Sequence, residues 1–498
     1  MIPMGRLVSY IAFWVCWLTA CSYAQSNGDV AIELSGFSVS EAYDLNAGAP
    51  LDLNDSRLMR LLFRSGKIST VNFEKWSRFA DEVSWQQLAD APRRFRFWTI
   101  NRSLTLKHLS QIRFPQQVAT DELKGVYLAQ CVNDQGQNVY LVTRRAPRKL
   151  TLEQPLDQPI SFTGFFYNIA AVGPEGKLLI LDPDRKKADQ ENTNNQEVDK
   201  DGQNELDFGG VAVFIANHFA WYPATVSETM GVNAGQVQLA AHGVDIGLFD
   251  YVRKQNSKAL SELDSDAFYQ MLAAISSIQL STQSSAENNG LPAATPAISF
   301  TELMSAPTRH FGNAIQLSGR LRQCVPIQIV DADRRLSVGL DKYYQVSLFP
   351  DLKGRDVIVR TSNEESIKFE QFPVTVCLPR LPQGMTADQL EGRAVQLSGN
   401  FYRFIKYQSK VASDAGHSGQ ISPLVMASNL MVAPTTTTAE GVDLLMRVLL
   451  IVILATVAIA VAYSIFKDRK KRSRLVAGDD MPLPEKIDLS QFEDQIED

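Results

Sequence analysis

The sequence predicts an α+β fold built as a tandem duplication, in which each unit is a short helical segment followed by a small β-barrel, plus one C-terminal transmembrane helix. Residues 139–168 align without a gap on residues 374–403, at a constant offset of 235. Short runs of alternating apolar residues recur in both copies, as strands require. One long uncharged apolar run near the C-terminus supplies the predicted membrane helix.

The internal repeat carries the fold prediction. Eight of the thirty aligned pairs are identical, and they include Gly164, Phe166 and Tyr167 in the first copy and Gly399, Phe401 and Tyr402 in the second. Unrelated strands share apolar alternation, but not these residue types at one fixed offset. We therefore predict repeat units at residues 50–223 and 264–434, joined by a connector at residues 224–263.

Each unit is predicted to begin with a helix and to continue as strands. Asp55 precedes apolar residues at helical spacing in the first unit, and residues 264–276 show the same period in the second. The predicted strands of the second unit are 314–324, 344–348, 357–360, 373–378, 394–404 and 423–427. Thr386 predicts the N-cap of a short helix. Gly164 and Gly399 lie inside strands, which indicates a bulge or a bend.

Three segments have the composition of loops rather than of helices or strands. Residues 182–207 are strongly polar and predict a disordered insertion in the first unit. Residues 279–297 are rich in Ser, Ala, Pro and Asn and predict a linker inside the second unit. Residues 435–442 predict a stalk before the membrane.

The two ends predict the topology. Residues 1–24 resemble a signal peptide, with Arg6 before an apolar run too short to span a bilayer. Two processing routes stay open, namely cleavage after Ala24 or attachment of a lipid to Cys21. Residues 443–466 predict a transmembrane helix, and the basic residues at 467–474 follow the positive-inside rule. We therefore expect a single-pass protein of the cytoplasmic (inner) membrane, with most of the chain extracytoplasmic and residues 467–498 as a cytoplasmic tail.

Charge and cysteine content limit the expected partners and the possible disulfides. The formal charge is −6 and the pI is about 5.6, so no basic face dominates and nucleic acid is not expected as a partner. Removal of the signal peptide leaves Cys131, Cys324 and Cys377. Cys324 and Cys377 allow two interpretations, a disulfide in an oxidising compartment or two buried free thiols.

The candidate binding residues are aromatic. Phe166, Tyr167, Phe401 and Tyr402 would form a stacking platform for a ligand if their rings were exposed; the alternative is that they pack the core. The histidines show no metal-ligand spacing, and neither a P-loop nor a dinucleotide motif is found, so no catalytic residue, metal or cofactor is predicted. The segment from Asp245 offers two carboxylates near a histidine, or is simply a turn into an amphipathic helix.

Two resemblances follow from these patterns. Five or six strands, a turn at mid-barrel and a Gly-bearing strand resemble an oligonucleotide/oligosaccharide-binding (OB) barrel, which implies ligand binding across an open face. The stretches 247–253, 267–273 and 319–326 and the overall layout are similar to uncharacterised, signal-bearing, single-pass envelope proteins of planctomycete-type bacteria. That resemblance implies a location and no activity.

Two hypotheses for function come from the sequence. The first is a non-enzymatic envelope protein whose tandem units bind a protein or a glycan outside the membrane. The second is an envelope-anchored hydrolase with a composite site between the units. A hydrolase should have clustered carboxylates or histidines with shifted pKa values in a deep pocket.

Overall fold

The computed structural model describes residues 36–37, 41, 45–78, 83–114, 123–173, 177–181, 210–287, 297–352, 357–360, 366–369, 372–407 and 420–433. All of them belong to one compact unit, Met1–Ala433, and the other unit, Pro434–Asp498, lies outside them. The predicted signal peptide with Cys21, the insertion at 182–207, the stalk, the membrane span at 443–466 and the tail are therefore outside the described residues. No helix in the described ranges is long and apolar enough to cross a membrane.

The secondary structure alternates between helical segments and sheets. The helices of the described residues are α1 (Ser56–Ser65), α2 (Thr70–Ser77), α3 (Trp85–Asp90), α4 (Pro92–Phe95), α5 (Ala234–Ala241), α6 (Phe249–Lys254), α7 (Ser265–Glu287), α8 (Phe300–Ser305), α9 (Ala332–Val338) and α10 (Ala387–Leu390). The strands are β1 (Thr99–Arg113), β2 (Gly125–Val132), β3 (Asn138–Thr143), β4 (Pro155–Ala170), β5 (Val211–Ala216), β6 (Ala220–Trp221), β7 (Ala314–Gln328), β8 (Lys342–Pro350), β9 (Val357–Arg360), β10 (Ser366–Phe369), β11 (Val374–Leu378), β12 (Ala394–Tyr407) and β13 (Gln420–Val432).

The first sheet closes on itself. β1 pairs with β2, β2 with β3, β3 with β5, β5 with β4, and β4 again with β1. The β3–β5 pairing is parallel and the other four are antiparallel. The short strand β6 adds to the edge of β4.

The second sheet is a closed five-stranded barrel with the same order of pairings. β7 pairs with β8, β8 with β11, β11 with β13, β13 with β12, and β12 with β7, and only the β11–β13 pairing is parallel. A closed five-stranded barrel of this kind is the architecture of the OB fold. The OB-like pattern predicted from the sequence agrees with it. The predicted strand at 357–360 forms as β9, but it pairs with β10 outside the barrel.

Glycines allow close approach of the strands in both barrels. A Cβ on Gly399 would lie 2.3 Å from the carbonyl oxygen of Met426, and a Cβ on Gly164 would lie 2.5 Å from that of Ile215. The β12–β13 register shifts at Gly399, which confirms the predicted bulge there. In β4 the shift falls just beyond Gly164, between Phe166 and Asn168.

The helix starts predicted after Asp55 and at Thr386 are present. The side chain of Asp55 accepts a hydrogen bond from the backbone of Arg57, and α1 buries Leu58, Leu61 and Leu62 against the first barrel. Thr386 forms the predicted cap of α10, with a reciprocal capping box.

Part of the predicted linker is helical. α7 continues through Glu287, so residues 279–287 belong to it, whereas 288–296 lie outside the described residues. Ala and Gln favour helix, and Gln279 is buried, with its amide donating to the carbonyl of Arg380 at 3.2 Å. The Ser- and Ala-rich composition was therefore a poor guide to a linker in this stretch.

The predicted connector at 224–263 packs on the second barrel. The amide of Gln236 donates to the carbonyl of Phe311 at 2.9 Å, and the backbone N–H of Ser257 donates to that of Phe404 at 2.9 Å. Phe249 and Val252 from α6 join the apolar core that fills both barrels. The connector is consequently a structural layer of the second barrel as well as a link between the units.

One buried arginine joins this layer to the barrel. Arg403 from β12 forms two hydrogen bonds with the carboxylate of Asp264, at 2.9 and 2.8 Å. It also donates to the carbonyls of Gln255, Lys258 and Ala259, at 2.7, 2.8 and 3.1 Å. The guanidinium is 0% exposed, so these bonds replace its contact with water.

Candidate functional site

The four predicted binding aromatics lie in the interior. Phe166, Phe401 and Tyr402 are 0% exposed and Tyr167 is 4% exposed. Successive side chains of a strand point to opposite faces. The phenylalanines therefore join the barrel core, while the tyrosines pack outside it, Tyr167 with the cluster under α1 and Tyr402 against Phe268 of α7.

The two tyrosine hydroxyls have equivalent partners. Tyr167 is hydrogen-bonded to Asp55 at the start of α1, and Tyr402 donates to Asp264 just before α7, at 3.4 Å. Burial raises the pKa of both hydroxyls, and the adjacent carboxylate adds to the effect. A stacking platform needs exposed ring faces, and these rings have none. The aromatic pairs fasten a helix to each barrel instead, which corrects their assignment as binding residues.

The cysteines of the described residues are free and buried, so the Cys324–Cys377 disulfide is not formed. The strand register gives the reason. Cys324 lies opposite Val346 and Cys377 opposite Gln345, and neighbouring residues on β8 face opposite sides of the sheet. Burial raises the pKa of Cys324 to about 11 and that of Cys377 to about 12, which keeps both thiols protonated.

A cleft of about 600 Å³ lies where the first barrel meets the connector. Its walls come from the turn before α2, the end of β3, the residues after β5, the turn into α6, the start of α7 and one side chain of α9. The lining residues used below are Arg144, Arg145, Arg148, Asn217, His218, Asp245, Asp250, Tyr251, Lys254, Glu262, Leu263, Asp266 and Arg334.

Two of the solvent-facing cations of the cleft lie beside one tyrosine. The guanidinium of Arg145 lies 5.7 Å from the ring centroid of Tyr251 and donates to its hydroxyl. The ammonium of Lys254 lies 5.6 Å from the same ring. Arg148 follows on the same loop, and its backbone N–H donates to Asp250 at 2.8 Å. Within the part of the chain that the structure describes, the side chains of Arg145, Arg148 and Lys254 form no ion pair.

Two carboxylates of the cleft have ion-pair partners. Asp250 pairs with Arg253 at 3.0 Å, and Asp266 pairs with Arg334 at 2.5 Å and accepts from Thr70 at 3.3 Å. Asp266 therefore ties α2 of the first unit to α9 of the second.

Asp245 is the most perturbed acid of the cleft. It is 2% exposed and accepts backbone N–H bonds from Trp221 at 2.9 Å and Gly247 at 2.8 Å. Burial raises its pKa to about 7, although the two N–H bonds oppose the shift. It caps the turn that leads into α6, so the interpretation of this segment as a turn into a helix is confirmed. His242, the histidine nearest to it in the sequence, contacts Ser277 instead.

Two further polar groups complete the cleft. Burial lowers the pKa of His218, and Arg145 adds to the lowering while Asp266 opposes it. The imidazole is therefore neutral at pH 7. The Oδ1 atom of Asn217 is buried and has no hydrogen-bond donor among the described residues. Within the described residues, the cleft thus offers three cations without an ion-pair partner (Arg145, Arg148 and Lys254), a neutral imidazole and an unsatisfied acceptor, which suit an anionic ligand that also carries donors.

Within the described ranges, no group of three or more His, Cys, Asp and Glu residues is arranged to hold an ion. The sequence did contain a signal for the cleft, the cluster of Arg144, Arg145 and Arg148 directly after a buried strand. Its other walls are distant in the chain and could not be assembled from spacing.

Comparisons with known proteins concern the fold. No family model and no curated protein matches the chain. Among solved structures, the chain is similar to a Plasmodium falciparum SSB in complex with ssDNA (16% identity, 24% of this chain and 95% of that one, TM-score 0.15). It is similar to the N-terminal domain of PriB from Thermoanaerobacter tencongensis (19%, 24% and 97%, TM-score 0.13). A deletion mutant of the single-stranded DNA-binding protein from Thermus aquaticus is a third match (9%, 69% and 98%, TM-score 0.15).

These matches correct one prediction and leave another unsupported. The sequence excluded nucleic acid as a partner, and that exclusion is contradicted, because two of the matched structures are of single-stranded DNA-binding proteins. The physical error was to use the net charge of the whole chain, which does not describe a local surface such as the cations around Tyr251. The comparisons give no support to the resemblance to planctomycete-type envelope proteins. At these TM-scores the likeness to solved structures identifies no ligand for this chain.

Proposed function

We propose that the chain is a non-enzymatic binding protein of the cell envelope, held in the inner membrane by one span, whose extracytoplasmic barrels bind a protein or a glycan. The cleft between the first barrel and the connector carries this proposal. Its volume of about 600 Å³ is within the range of ligand sites, and cations without ion-pair partners among the described residues line it.

We also infer that the two barrels derive from one duplicated unit. Equivalent backbone bonds support this: the N–H of Phe97 donates to Phe166 and that of Gly312 donates to Phe401, both at 2.7 Å. Phe97 and Gly312 share positive φ angles of 64° and 76°. The cleft then belongs to the first copy alone, because in the alignment Pro379 and Gln383 replace two of its three arginines and only Arg145 has an arginine counterpart.

The binding function can be tested by photo-crosslinking in native envelopes. Leu263 lines the cleft and is 66% exposed, while Val226 is 59% exposed and is not part of the cleft lining, so the two form a matched pair. A photoreactive phenylalanine analogue placed at residue 263 of the full-length chain should capture an envelope component. The same analogue at residue 226 should not. Equal capture at both positions, or none at residue 263, would count against a ligand in the cleft.

The alternative is an envelope-anchored hydrolase with a composite site in the same cleft. A neutral His218 that lies near Asp266 favours it, since such a histidine can act as a general base. The captured component should then be recovered in cleaved form, and His218→Gln should restore it to full length. Recovery of an intact component from the unmodified chain would exclude the hydrolase.

A further inference from the structure

We propose that the ligand binds in the cleft through a sugar carboxylate, so that the partner is an acidic glycan. The inference rests on the proposed binding function of the cleft and narrows its ligand. It is carried by three cations that line the cleft (Arg145, Arg148 and Lys254), the buried acceptor of Asn217 and the carboxylates that line the same walls.

The cations provide the anion site. Arg145 donates to the hydroxyl of Tyr251 and the ammonium of Lys254 lies 5.6 Å from the centroid of its ring, and neither side chain is paired with a carboxylate among the described residues. Arg148, exposed on the same loop as Arg145, lines the cleft as a third cation. A carboxylate bound in the cleft would accept charge-assisted hydrogen bonds from these side chains.

The buried acceptor selects the rest of the ligand. Asn217 lines the cleft, and its Oδ1 atom is buried and lacks a donor among the described residues. An unsatisfied buried acceptor is costly, and a rotation of the amide toward the cleft would let a ligand hydroxyl satisfy it. A sugar acid carries both a carboxylate and several hydroxyl donors on one small ring.

The remaining lining suits the hydroxyls of a sugar. Asp250, Glu262 and Asp266 line the same cleft, and each has lone pairs that a sugar hydroxyl can use.

The test compares two forms of one oligosaccharide. Binding of a short oligogalacturonide and of its methyl ester to the full-length chain in detergent is measured by calorimetry. The acid should bind, and the neutral ester should bind at least about tenfold more weakly, as expected for loss of a charge-assisted interaction. Arg148→Gln and Lys254→Gln should each weaken binding of the acid by about tenfold. Arg309→Gln removes an exposed cation outside the cleft lining and should leave the affinity unchanged.

Thermal unfolding of the variants is followed in parallel, because the binding data are interpretable only when the melting temperatures match that of Arg309→Gln. Equal binding of acid and ester, or no loss in the cleft variants, would overturn the inference. So would tighter binding of an acidic peptide or of oligothymidylate that depends on the same residues. If capture at residue 263 persists while acid and ester bind alike, the glycan inference fails and the binding function stands. If capture is also absent, both fail.

Discussion

Arg403 is a charged group that the fold keeps entirely away from water. A guanidinium has five N–H donors, and here they reach the Asp264 carboxylate and backbone carbonyls of the connector. Such a pair contributes little net stability compared with apolar packing. Removal of one member is different, because it leaves the other charge buried without compensation.

Asp264→Ala should therefore lower the free energy of unfolding by about 3–5 kcal/mol. The matched control is Asp333→Ala, which breaks an ion pair with Lys75 whose side chains are 48% and 33% exposed. The control should cost less than about 1 kcal/mol, since solvent screens surface pairs. Urea denaturation followed by tryptophan fluorescence measures both. Similar losses for the two variants would show that Asp264 does not act as the counter-charge of Arg403.

The aligned aromatic pairs Phe166–Tyr167 and Phe401–Tyr402 show what the residue pattern alone does not determine. Alternation along a strand correctly predicts that Phe166 and Tyr167 face opposite sides. It does not reveal whether the outer side is wet or covered. In both units a helix covers that side, and the tyrosine hydroxyl bonds to an aspartate at its start. The choice between a stacking platform and a packed core therefore required the tertiary structure.

At the scale of the elements, the strand glycines are the most sensitive positions. Gly399→Ala and Gly164→Ala should each cost about 1–3 kcal/mol, because the new Cβ would meet a carbonyl oxygen of the neighbouring strand that cannot move alone. Gly173→Ala is the control, since its nearest neighbour is the end of the Leu179 side chain at 3.2 Å. Thermal unfolding of the three variants checks this. If the control proves as unstable as the strand variants, close backbone approach is not the cause.

Many elements could be predicted from the sequence, and the misses have identifiable causes. Strand periodicity located the barrel strands of the second unit, and the caps at Asp55 and Thr386 located helix starts. The unpredicted helix α9 has usable signals, with Asp331 at its N-cap and Gly339 in the left-handed conformation at its end. β9 was predicted but its partner was not, because pairing depends on residues distant in the sequence.

Most of the candidate site could not be predicted from the sequence. The sequence shows two local groups, the arginines at 144, 145 and 148 and the polar residues from Asp245 to Lys254, but it does not show that they line one cleft. Asn217 and Lys254 reach the cleft because β5 pairs in parallel with β3 and the connector packs against the end of the first barrel. The same folding back of the chain brings Asp266 and Arg334 from the second unit to this surface.

At the scale of the whole molecule, Asp245 links three parts. Its carboxylate accepts from Trp221 of β6 on the first barrel and from Gly247 of the connector, and its backbone N–H donates to Gln270 of α7 at 3.1 Å. Burial favours the protonated acid, and the nearby Asp250 opposes ionisation further. The stability of the contacts among β6, the connector and α7 should consequently depend on pH.

The sign of that response follows from the pKa values. The folded value is about 7 and the reference value is 3.8, so between them the folded protein keeps a proton that the unfolded chain releases. The contribution of Asp245 to the free energy of unfolding is therefore largest below about pH 4. As the pH rises it decreases by at most about 1.4 kcal/mol per pH unit, and above about pH 7 it no longer changes. Asp245→Asn keeps an oxygen that can accept the two backbone N–H bonds and removes the titratable carboxyl group. Its free energy of unfolding should fall less than that of the parent chain between about pH 5 and about pH 7, and parallel pH profiles would refute this role.

The carbonyls bound by Arg403 also bear on local unfolding of the connector. Separation of residues 255–259 from β12 would remove three carbonyl acceptors of the guanidinium at once. It would also break the backbone hydrogen bonds from Ser257 to Phe404 and from Lys406 to Lys258. We therefore expect the connector to lose these hydrogen bonds together and not one at a time. Its amide protons should exchange with deuterium only when the second barrel unfolds, so that connector and barrel behave as a single cooperative unit.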